Sequence, residues 1–189
     1  MIMPGDVLRL TILGCGSSPG VPRIIGDWGQ CDPANPRNRR TRAAAMLERI
    51  APDGRTTRVV VDTGPDFRAQ MLAAGVDRID AVAYTHPHAD HIHGIDDLRG
   101  YWLEQRDLID VYADPPTLTR LKQALGYCFE TPPGGSYPPI VRARLIDAPA
   151  PFTVEGEGGP LTLEPLPQVH GDIVSLGFRV GRIAYCPDV

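Results

Sequence analysis

The stretch T-H-P-H-A-D-H at residues 85–91 decides how the rest of this sequence is interpreted. Its metal-competent side chains are His86, His88, Asp90 and His91. Neutral imidazole suits zinc, manganese and iron, and a carboxylate adds the harder, charged ligand that these ions also accept. In a turn after a strand, side chains at i and i+2 point together, whereas those at i+4 and i+5 point to a neighbouring position. The motif therefore predicts a site for two adjacent divalent cations.

The segments on either side place this motif where a buried strand ends. Ile79–Tyr84 is a short apolar run typical of such a strand. In layered α/β folds, catalytic groups lie on the loops that follow the strands. After the motif, Ile95, Leu98 and Trp102 recur at i, i+3 and i+7, which predicts an amphipathic helix. We therefore expect the histidines to lie between a strand and a helix.

The chain before the motif contains a predicted strand, a long loop and a hairpin. Val7–Leu13 is rich in branched apolar residues and ends at the glycine-rich segment Gly14–Gly20. The loop continues through a Pro- and Asn-rich stretch to about Arg40. Ala43–Ile50 and Arg58–Val61 then flank a P-D-G turn, which predicts paired strands.

Two further helices and several short strands are predicted. Phe67, Met71 and Leu72 give residues 66–74 a helical spacing, and Gly75 is placed to end that helix. A second helix is predicted near Pro116–Leu125, with proline in its first turn. The remaining predicted strands are Ile109–Ala113, Ile140–Ile146, Leu161–Leu166, Val174–Val180 and Arg182–Tyr185. This mixed order of strands and helices is consistent with a layered α/β fold.

Length and composition are those of one globular domain. The chain has 189 residues, of which 42% are hydrophobic and 22% charged, and its formal net charge is −4. This charge gives no general attraction to nucleic acid or to an anionic membrane. The local exception is a basic cluster formed by Arg37, Arg39, Arg40 and Arg42. Two interpretations of it stay open, a solvated loop and a surface that faces phosphate.

The cysteines and the N-terminus predict a cytoplasmic protein with reduced thiols. Cys15, Cys31, Cys128 and Cys186 lie far apart, with no C-x-x-C pair. The N-terminus has neither the basic start nor the apolar run of a secretory signal. No apolar stretch approaches the roughly 20 residues that a membrane helix needs.

Several motifs together resemble those of the metallo-β-lactamase superfamily. T-H-P-H-A-D-H-I-H-G resembles the family's signature. V-V-V-D-T-G around Asp62 is similar to the acidic turn that precedes the family's signature. P-Q-V-H-G at His170 is similar to the segment with the family's next ligand histidine. A-Y-C-P-D-V is similar to the strand that presents the family's bridging Asp, here Asp188. The resemblance runs from about residue 8 to residue 189 and implies a four-layer αββα sandwich.

The resemblance also implies a role for each of these residues. It assigns one metal to His86, His88 and His170, the other to Asp90 and His91, and a bridging role to Asp188. Asp62 would brace the metal-binding loop without binding metal. The implied cofactors are two divalent ions, with zinc, manganese and iron fitting the His/Asp ligands about equally. His93 lies outside the spacing, and we expect it to be either a support for a ligand or solvent-facing.

Softer patterns point to the phosphodiesterase branch of this superfamily. L-G-C-G-S-S-P-G-V-P at residues 13–22 and G-I-D-D-L-R at residues 94–99 are similar to the branch that contains a cyclic-phosphate phosphodiesterase and, more distantly, RNase Z. The implied reaction is hydrolysis of a small, linear or cyclic phosphodiester by a metal-bound hydroxide, with Asp90 as the catalytic residue that orients the nucleophile. The negative net charge and the lack of a long insertion favour a small phosphorylated substrate over nucleic acid.

Two other functions stay open for this sequence. One is hydrolysis of a lactone, thioester or β-lactam in the same fold, and the other is a truncated domain that binds metal without catalysis. Family members continue beyond the bridging Asp to a further ligand histidine, so the resemblance implies one domain over residues 1–189 that is cut off after the strand carrying Asp188. Uncovered apolar sheet would then require a partner subunit, such as a second copy of the chain, or would lower solubility.

Overall fold

The chain folds into two facing β-sheets with helices on one side. A computed structural model describes residues 3–188. The first sheet has the order β1-β2-β3-β4-β5-β6, with strands β1 Val7–Gly14, β2 Ala44–Ile50, β3 Thr56–Val61, β4 Ala81–Ala83, β5 Ile109–Ala113 and β6 Val141–Leu145. The second has the order β10-β9-β8-β7, with strands β7 Phe152–Val154, β8 Leu161–His170, β9 Ile173–Val180 and β10 Ile183–Tyr185.

The first sheet changes from antiparallel to parallel across its width. Strands β1, β2 and β3 pair antiparallel, whereas β3 to β6 pair parallel. Parallel strands need crossover connections, and here these are largely helical. The carboxyl ends of β3 to β6 therefore meet at one edge of the sheet, where the chain leaves β4 towards the histidine motif. The second sheet is antiparallel throughout.

Helices cover the outer face of the first sheet. They are α1 Phe67–Ala74, α2 Ala89–Ile92, α3 Arg99–Gln105 and α4 Pro115–Leu125, with short 3-10 turns at Pro36–Asn38, Ile95–Leu98 and Gly126–Cys128. Gly75 ends α1 in the left-handed conformation that glycine adopts without strain. Asp114 caps α4 by accepting a hydrogen bond from the Thr117 N–H at 3.0 Å.

Two apolar clusters hold the layers together. The outer cluster lies between the first sheet and the helices and contains Phe67 of α1, Ile92 of α2 and Leu121 of α4. The inner cluster lies between the two sheets and contains Val59 and Phe178. The central strands β2, β3 and β4 are largely buried on both faces, which explains their largely apolar sequences. All four helices contribute to the outer cluster, so residues 3–188 supply a helix layer and both sheet layers of the expected sandwich.

The predicted elements are confirmed with local exceptions. Leu72 was predicted to share the buried face of α1, but its side chain is 66% exposed, because it lies about 100° around the helix from Met71. The single helix predicted through Ile95, Leu98 and Trp102 is divided into a 3-10 turn followed by α3. A separation of three residues fits a 3-10 turn as well as an α-helix, and both Ile95 and Leu98 are buried.

The second sheet departs most from the sequence-based expectation. Strand β7, of three residues, was not predicted. Strand β8 was expected to end at Leu166, before Pro167, yet it continues to His170. Strand β7 pairs only with Leu161–Leu163, so the second half of β8 is an edge on that side and tolerates proline. This extension carries His170 to the site.

None of the helices within residues 3–188 combines the length and apolar character required to cross a membrane. The four cysteines are all free, and the thiol of Cys128 is buried.

Candidate metal centre

The histidine motif leaves β4 in a tight turn and ends within α2. His86 and His88 lie between the strand and this helix, as expected, whereas Asp90 and His91 belong to the helix itself. Tyr84 continues the line of β4, since its N–H donates to the carbonyl of Tyr112 in β5 at 2.8 Å. His86 and His91 are buried, whereas His88 is exposed. Because α2 begins directly after His88, the motif changes from extended to helical conformation within its own length.

Asp62 lies behind this turn, at the end of the neighbouring strand β3. Its carboxylate accepts hydrogen bonds at 2.8 Å from both the N–H and the hydroxyl of Thr85, and one oxygen lies 2.7 Å from His91 Nδ1. The Asp62 side chain is completely buried, and its backbone has a φ of +66°. A non-glycine residue in this left-handed region is uncommon and costs free energy, and such residues concentrate at functional sites.

This network determines which nitrogens are available to bind metal. The Thr85 hydroxyl donates to Asp62, so its oxygen accepts from His86 Nδ1 at 2.9 Å. His86 Nε2 then carries a free lone pair. His91 Nδ1 likewise donates to Asp62, and His91 Nε2 therefore points away from Asp62 towards Asp188. Ligand histidines in metalloproteins are oriented by such hydrogen bonds on the second ring nitrogen.

The second sheet contributes the other two predicted residues. His170 is the last residue of β8, and Asp188 follows β10. Asp188 Oδ2 lies 3.5 Å from His86 Nε2, 3.2 Å from His91 Nε2 and 3.7 Å from His170 Nε2. The Leu176 N–H of β9 donates to the Thr85 carbonyl at 2.8 Å. That bond joins the second sheet directly to the histidine turn.

Burial and charge shift the pKa values of the two buried histidines in opposite directions. Burial, reinforced by the neighbouring imidazoles, lowers the pKa of His86 to about 3. Burial would also lower the pKa of His91, but the hydrogen bond and charge of Asp62, with the charges of Asp90 and Asp188, outweigh it and raise this pKa to about 9. His86 is therefore neutral at pH 7, whereas His91 must lose a proton before it binds a cation.

The ligand atoms form two overlapping groups that fit divalent cations. One group is His86, His88 and His170, the other is His86, His91 and Asp188, and within each group the ligand atoms all lie within 4.8 Å of one another. His86 Nε2 and His88 Nδ1 are 3.0 Å apart. A tetrahedral ion with metal–nitrogen bonds of about 2.0–2.1 Å separates its ligand nitrogens by about 3.3 Å. A cation would therefore fit between these two nitrogens after they separate by a few tenths of an ångström.

The structure thus brings together all six residues that were predicted as ligands, although the grouping differs in one respect. The second predicted set contained Asp90, whereas the second group has His86 in that place. An Asp90 carboxylate oxygen nevertheless lies 3.5 Å from His91 Nε2, beside this group. His93 is exposed, which agrees with the solvent-facing alternative.

Sequence reasoning overlooked Thr85 and Gly64. Thr85 precedes the first histidine and connects Asp62 to His86. Its hydroxyl donates to Asp62 and accepts from His86, and a hydroxyl can do both at once. A Cβ atom on Gly64 would collide with the Asp90 carbonyl oxygen. The glycine of V-D-T-G was the available indication, since glycine permits close backbone approach.

The basic cluster of the long loop is held largely by local contacts. Arg42 forms an ion pair with Asp66 at 2.9 Å and donates to the Ser18 carbonyl at 3.2 Å, which ties the glycine-rich loop to the start of α1. Arg39 lies over the Trp28 ring at 5.4 Å. The side chains of Arg37 and Arg40 are exposed. Arg42 therefore has a structural partner, and a phosphate-facing role for the cluster stays a prediction.

Comparison with known proteins agrees with this geometry. The family model described as a Beta-lactamase superfamily domain matches residues 57–189, which include every residue of the candidate centre. The chain belongs to the metallo-β-lactamase superfamily. The two facing sheets and the His/Asp cluster between strand ends are the features of this fold that the structure displays.

The individual relatives of this chain are named for different activities. An octanoyltransferase of Porphyromonas gingivalis is 36% identical over 185 residues, which is 96% of this chain and 35% of that protein. A crystal structure titled as a new diphosphatase from the PhnP family has 32% identity and a TM-score of 0.74, and the match covers 95% of this chain and 65% of that one. A ribonuclease Z of Bradyrhizobium diazoefficiens is 27% identical over 128 residues, 64% of this chain and 39% of the relative. The chain thus spans between about a third and two thirds of the length of these relatives.

Proposed function

We propose that this chain is the catalytic region of a metal-dependent hydrolase that cleaves a small, linear or cyclic phosphodiester. The observation that carries the proposal is the convergence of two ligand groups on the shared residue His86. Members of this superfamily are hydrolases. The diphosphatase and ribonuclease Z relatives support chemistry at phosphorus.

In this proposal six side chains hold two divalent cations. His86, His88 and His170 would hold one, Asp90 and His91 the other, and Asp188 would lie between them. When bound, such a pair of cations supplies Lewis-acid activation of water and neutralises charge that develops on the phosphoryl oxygens. The His/Asp ligand set admits zinc, manganese or iron.

The residues of the chain position the reactants around that centre. Asp90 is the proposed catalytic residue, because its carboxylate lies beside His91 and is partly accessible, so it can accept a hydrogen bond from the attacking water and orient it towards phosphorus. Asp62 and Thr85 keep both imidazole rings in fixed orientations. The buried network means that little reorganisation is needed when substrate arrives.

A second candidate function is acyl hydrolysis, of a lactone, thioester or β-lactam. The octanoyltransferase relative favours it, since that name denotes acyl-group transfer, although the match covers 35% of the relative. A third candidate is a metal-binding domain without catalysis. We further propose a cytoplasmic protein with a small phosphorylated substrate in preference to nucleic acid, and a second copy of the chain as its partner.

The test compares substrates on the purified chain after loading with zinc or manganese. We expect bis-p-nitrophenyl phosphate to be hydrolysed in a metal-dependent manner that a chelator abolishes, with nitrocefin and an acyl thioester turned over much more slowly. Asp90→Ala, purified identically, controls for contaminating hydrolases. Preferential turnover of nitrocefin or the thioester would favour the acyl candidate, and metal binding without any turnover would favour the non-catalytic one.

A further inference from the structure

An apolar cavity of about 550 Å³ adjoins the candidate metal centre. One wall is Pro87, the residue between His86 and His88. Another wall is the turn after β8, where Ile173 lies directly across the strand pair from His170. Three of the predicted ligand histidines, His86, His88 and His170, are thus immediate neighbours of residues that line this cavity.

The walls of the cavity are aliphatic, and its charges are all of one sign. The main apolar residues are Pro87, Leu145, Ile146, Ile173, Val174 and Leu176. The ionisable side chains that line it are Asp114, Asp147 and Asp172, and no lysine or arginine lines it within residues 3–188. Asp114 is engaged as the cap of α4, whereas Asp147 and Asp172 are exposed at the rim.

These properties discriminate between the groups that a phosphodiester could place there. A ring-sized uncharged group would bury apolar surface against the aliphatic walls, and a cavity of this size lies within the range of about 300–1,000 Å³ that small-molecule pockets occupy. A second phosphate or a carboxylate would instead meet like charges without a compensating cation. The cavity therefore differs from the neighbouring metal centre, which favours anions once cations are bound.

We propose that this cavity binds an uncharged, ring-sized organic group of the substrate, attached to the phosphorus that lies at the metal centre. The inference rests on the proposed phosphodiesterase function and specifies its substrate class. Hydrolysis of such a diester consumes one water, whose oxygen bonds to phosphorus while a P–O bond breaks and the departing oxygen gains a proton, which gives a phosphomonoester and an alcohol or phenol. The binding preference itself requires no turnover and is testable separately.

The test uses three phosphonates that cannot be hydrolysed, measured by calorimetry on the zinc-loaded chain. Methylphosphonate lacks the ring, phenylphosphonate supplies it, and 4-carboxyphenylphosphonate adds a negative charge to the same ring. We expect phenylphosphonate to bind at least about tenfold more tightly than methylphosphonate, from the apolar area that the ring buries. We expect the carboxylate to reverse most of that gain. Equal affinities, or tighter binding of the carboxylated ring, would overturn the proposal, as would a failure of all three to bind.

Substitutions locate the preference in the cavity. Leu145→Arg places a cation at the cavity wall and is tolerated by the fold, since the Leu145 side chain is 61% exposed. We expect it to abolish the preference for the uncharged ring, and Val174→Arg provides a second variant on a different strand. Leu103→Arg on α3 is the matched control, with a leucine that is 56% exposed and does not line this cavity, and it should retain the wild-type ratios. An unchanged ratio in both Leu145→Arg and Val174→Arg would contradict the placement.

The two proposals fail in different ways. If the wild-type chain hydrolyses a phosphodiester but shows no ring preference, only the cavity proposal is wrong. If the ring preference is present and is lost in Leu145→Arg, but no phosphodiester is hydrolysed, the cavity assignment stands and the reaction class is wrong.

Discussion

The two halves of the candidate metal centre are held in different ways. The half supplied by the first sheet comes from one turn of seven residues and is fixed from behind by the buried carboxylate of Asp62. The half supplied by the second sheet consists of His170 at a strand end and Asp188 beyond β10, and both side chains are partly exposed. The first half is preorganised by local hydrogen bonds, whereas the second depends on how the sheets pack.

This difference predicts which half of the site contributes more to metal affinity and which half can change its position more easily. Removing a support of the first half leaves buried polar groups with fewer or longer hydrogen bonds, which is costly away from water. Removing a residue of the second half leaves the His86–His91 turn intact. The largest effects of substitution are therefore expected in the first half.

Replacement of Asp90 gives the largest expected effect on activity. Asp90→Ala should lower hydrolysis of bis-p-nitrophenyl phosphate by about 10²–10⁴-fold, the range for loss of a proton-accepting catalytic group. Circular dichroism should report a retained fold, because the side chain is at the accessible side of the turn. His93→Ala is the control, since His93 is exposed and directly follows α2. Unchanged turnover in Asp90→Ala would remove this residue from the mechanism.

Comparison of His86→Ala with His170→Ala tests the asymmetry between the halves. His86 belongs to both ligand groups, whereas His170 belongs to one. We expect His86→Ala to lose the zinc that it would hold with His88 and His170 and to weaken the neighbouring position beside Asp188. His170→Ala should retain at least one ion per chain, measured by plasma mass spectrometry after gel filtration. Equal zinc losses in the two variants would contradict the shared position of His86.

The support behind the first half is tested by Asp62→Asn. Asparagine tolerates the left-handed backbone at this position, so the change mainly removes charge and one hydrogen-bond acceptor. We expect zinc affinity to fall by about 10–100-fold, as for other residues that orient ligand histidines. Asp53→Asn, in the exposed hairpin turn, should leave the zinc affinity unchanged. Wild-type affinity in Asp62→Asn would show that the carboxylate does not orient His91.

Local sequence patterns pointed directly to the residues of the first half, whereas His170 and Asp188 of the second half were predicted only through family resemblance. Residues 85–91 carry their chemistry in a contiguous motif, and apolar patterning identified the strand before it. Helix α2 was not predicted, and the single helix predicted after the motif is divided into a 3-10 turn and α3. The approach of Asp188 to His91 depends on the pairing of β8, β9 and β10 and on sheet-to-sheet packing, which no local pattern encodes. The prolines of β8 concealed its extension to His170, because proline usually ends a strand.

The role of Thr85 was also beyond local patterns. Its importance comes from the neighbouring strand β3, which brings Asp62 within hydrogen-bond distance. In the sequence, Thr85 is simply a polar residue next to a histidine, and its position there does not indicate this role. Similarly, the exposed arginines of the long loop were conspicuous in the sequence, but Arg42 is paired with Asp66 and holds a loop.

An effect on stability is expected from the close backbone approach in the first half. Gly64→Ala places a methyl group against the Asp90 carbonyl and should destabilise the chain by about 1–3 kcal/mol, the usual cost of overpacking. Gly100→Ala is the matched control, because a Cβ there meets open space within a helix and should be neutral or slightly stabilising. Urea unfolding measures both changes. Equal free energies of unfolding in the two variants would mean that the backbone around Asp90 moves to accommodate the methyl group at no cost.

The most direct test of the central claim is anomalous X-ray scattering from crystals of the zinc-loaded chain. Two peaks are predicted, one among His86, His88 and His170 and the other beside His91, Asp90 and Asp188, each about 2.0–2.2 Å from its ligand atoms. Peaks located elsewhere, or no peak among these side chains at saturating zinc, would contradict the account.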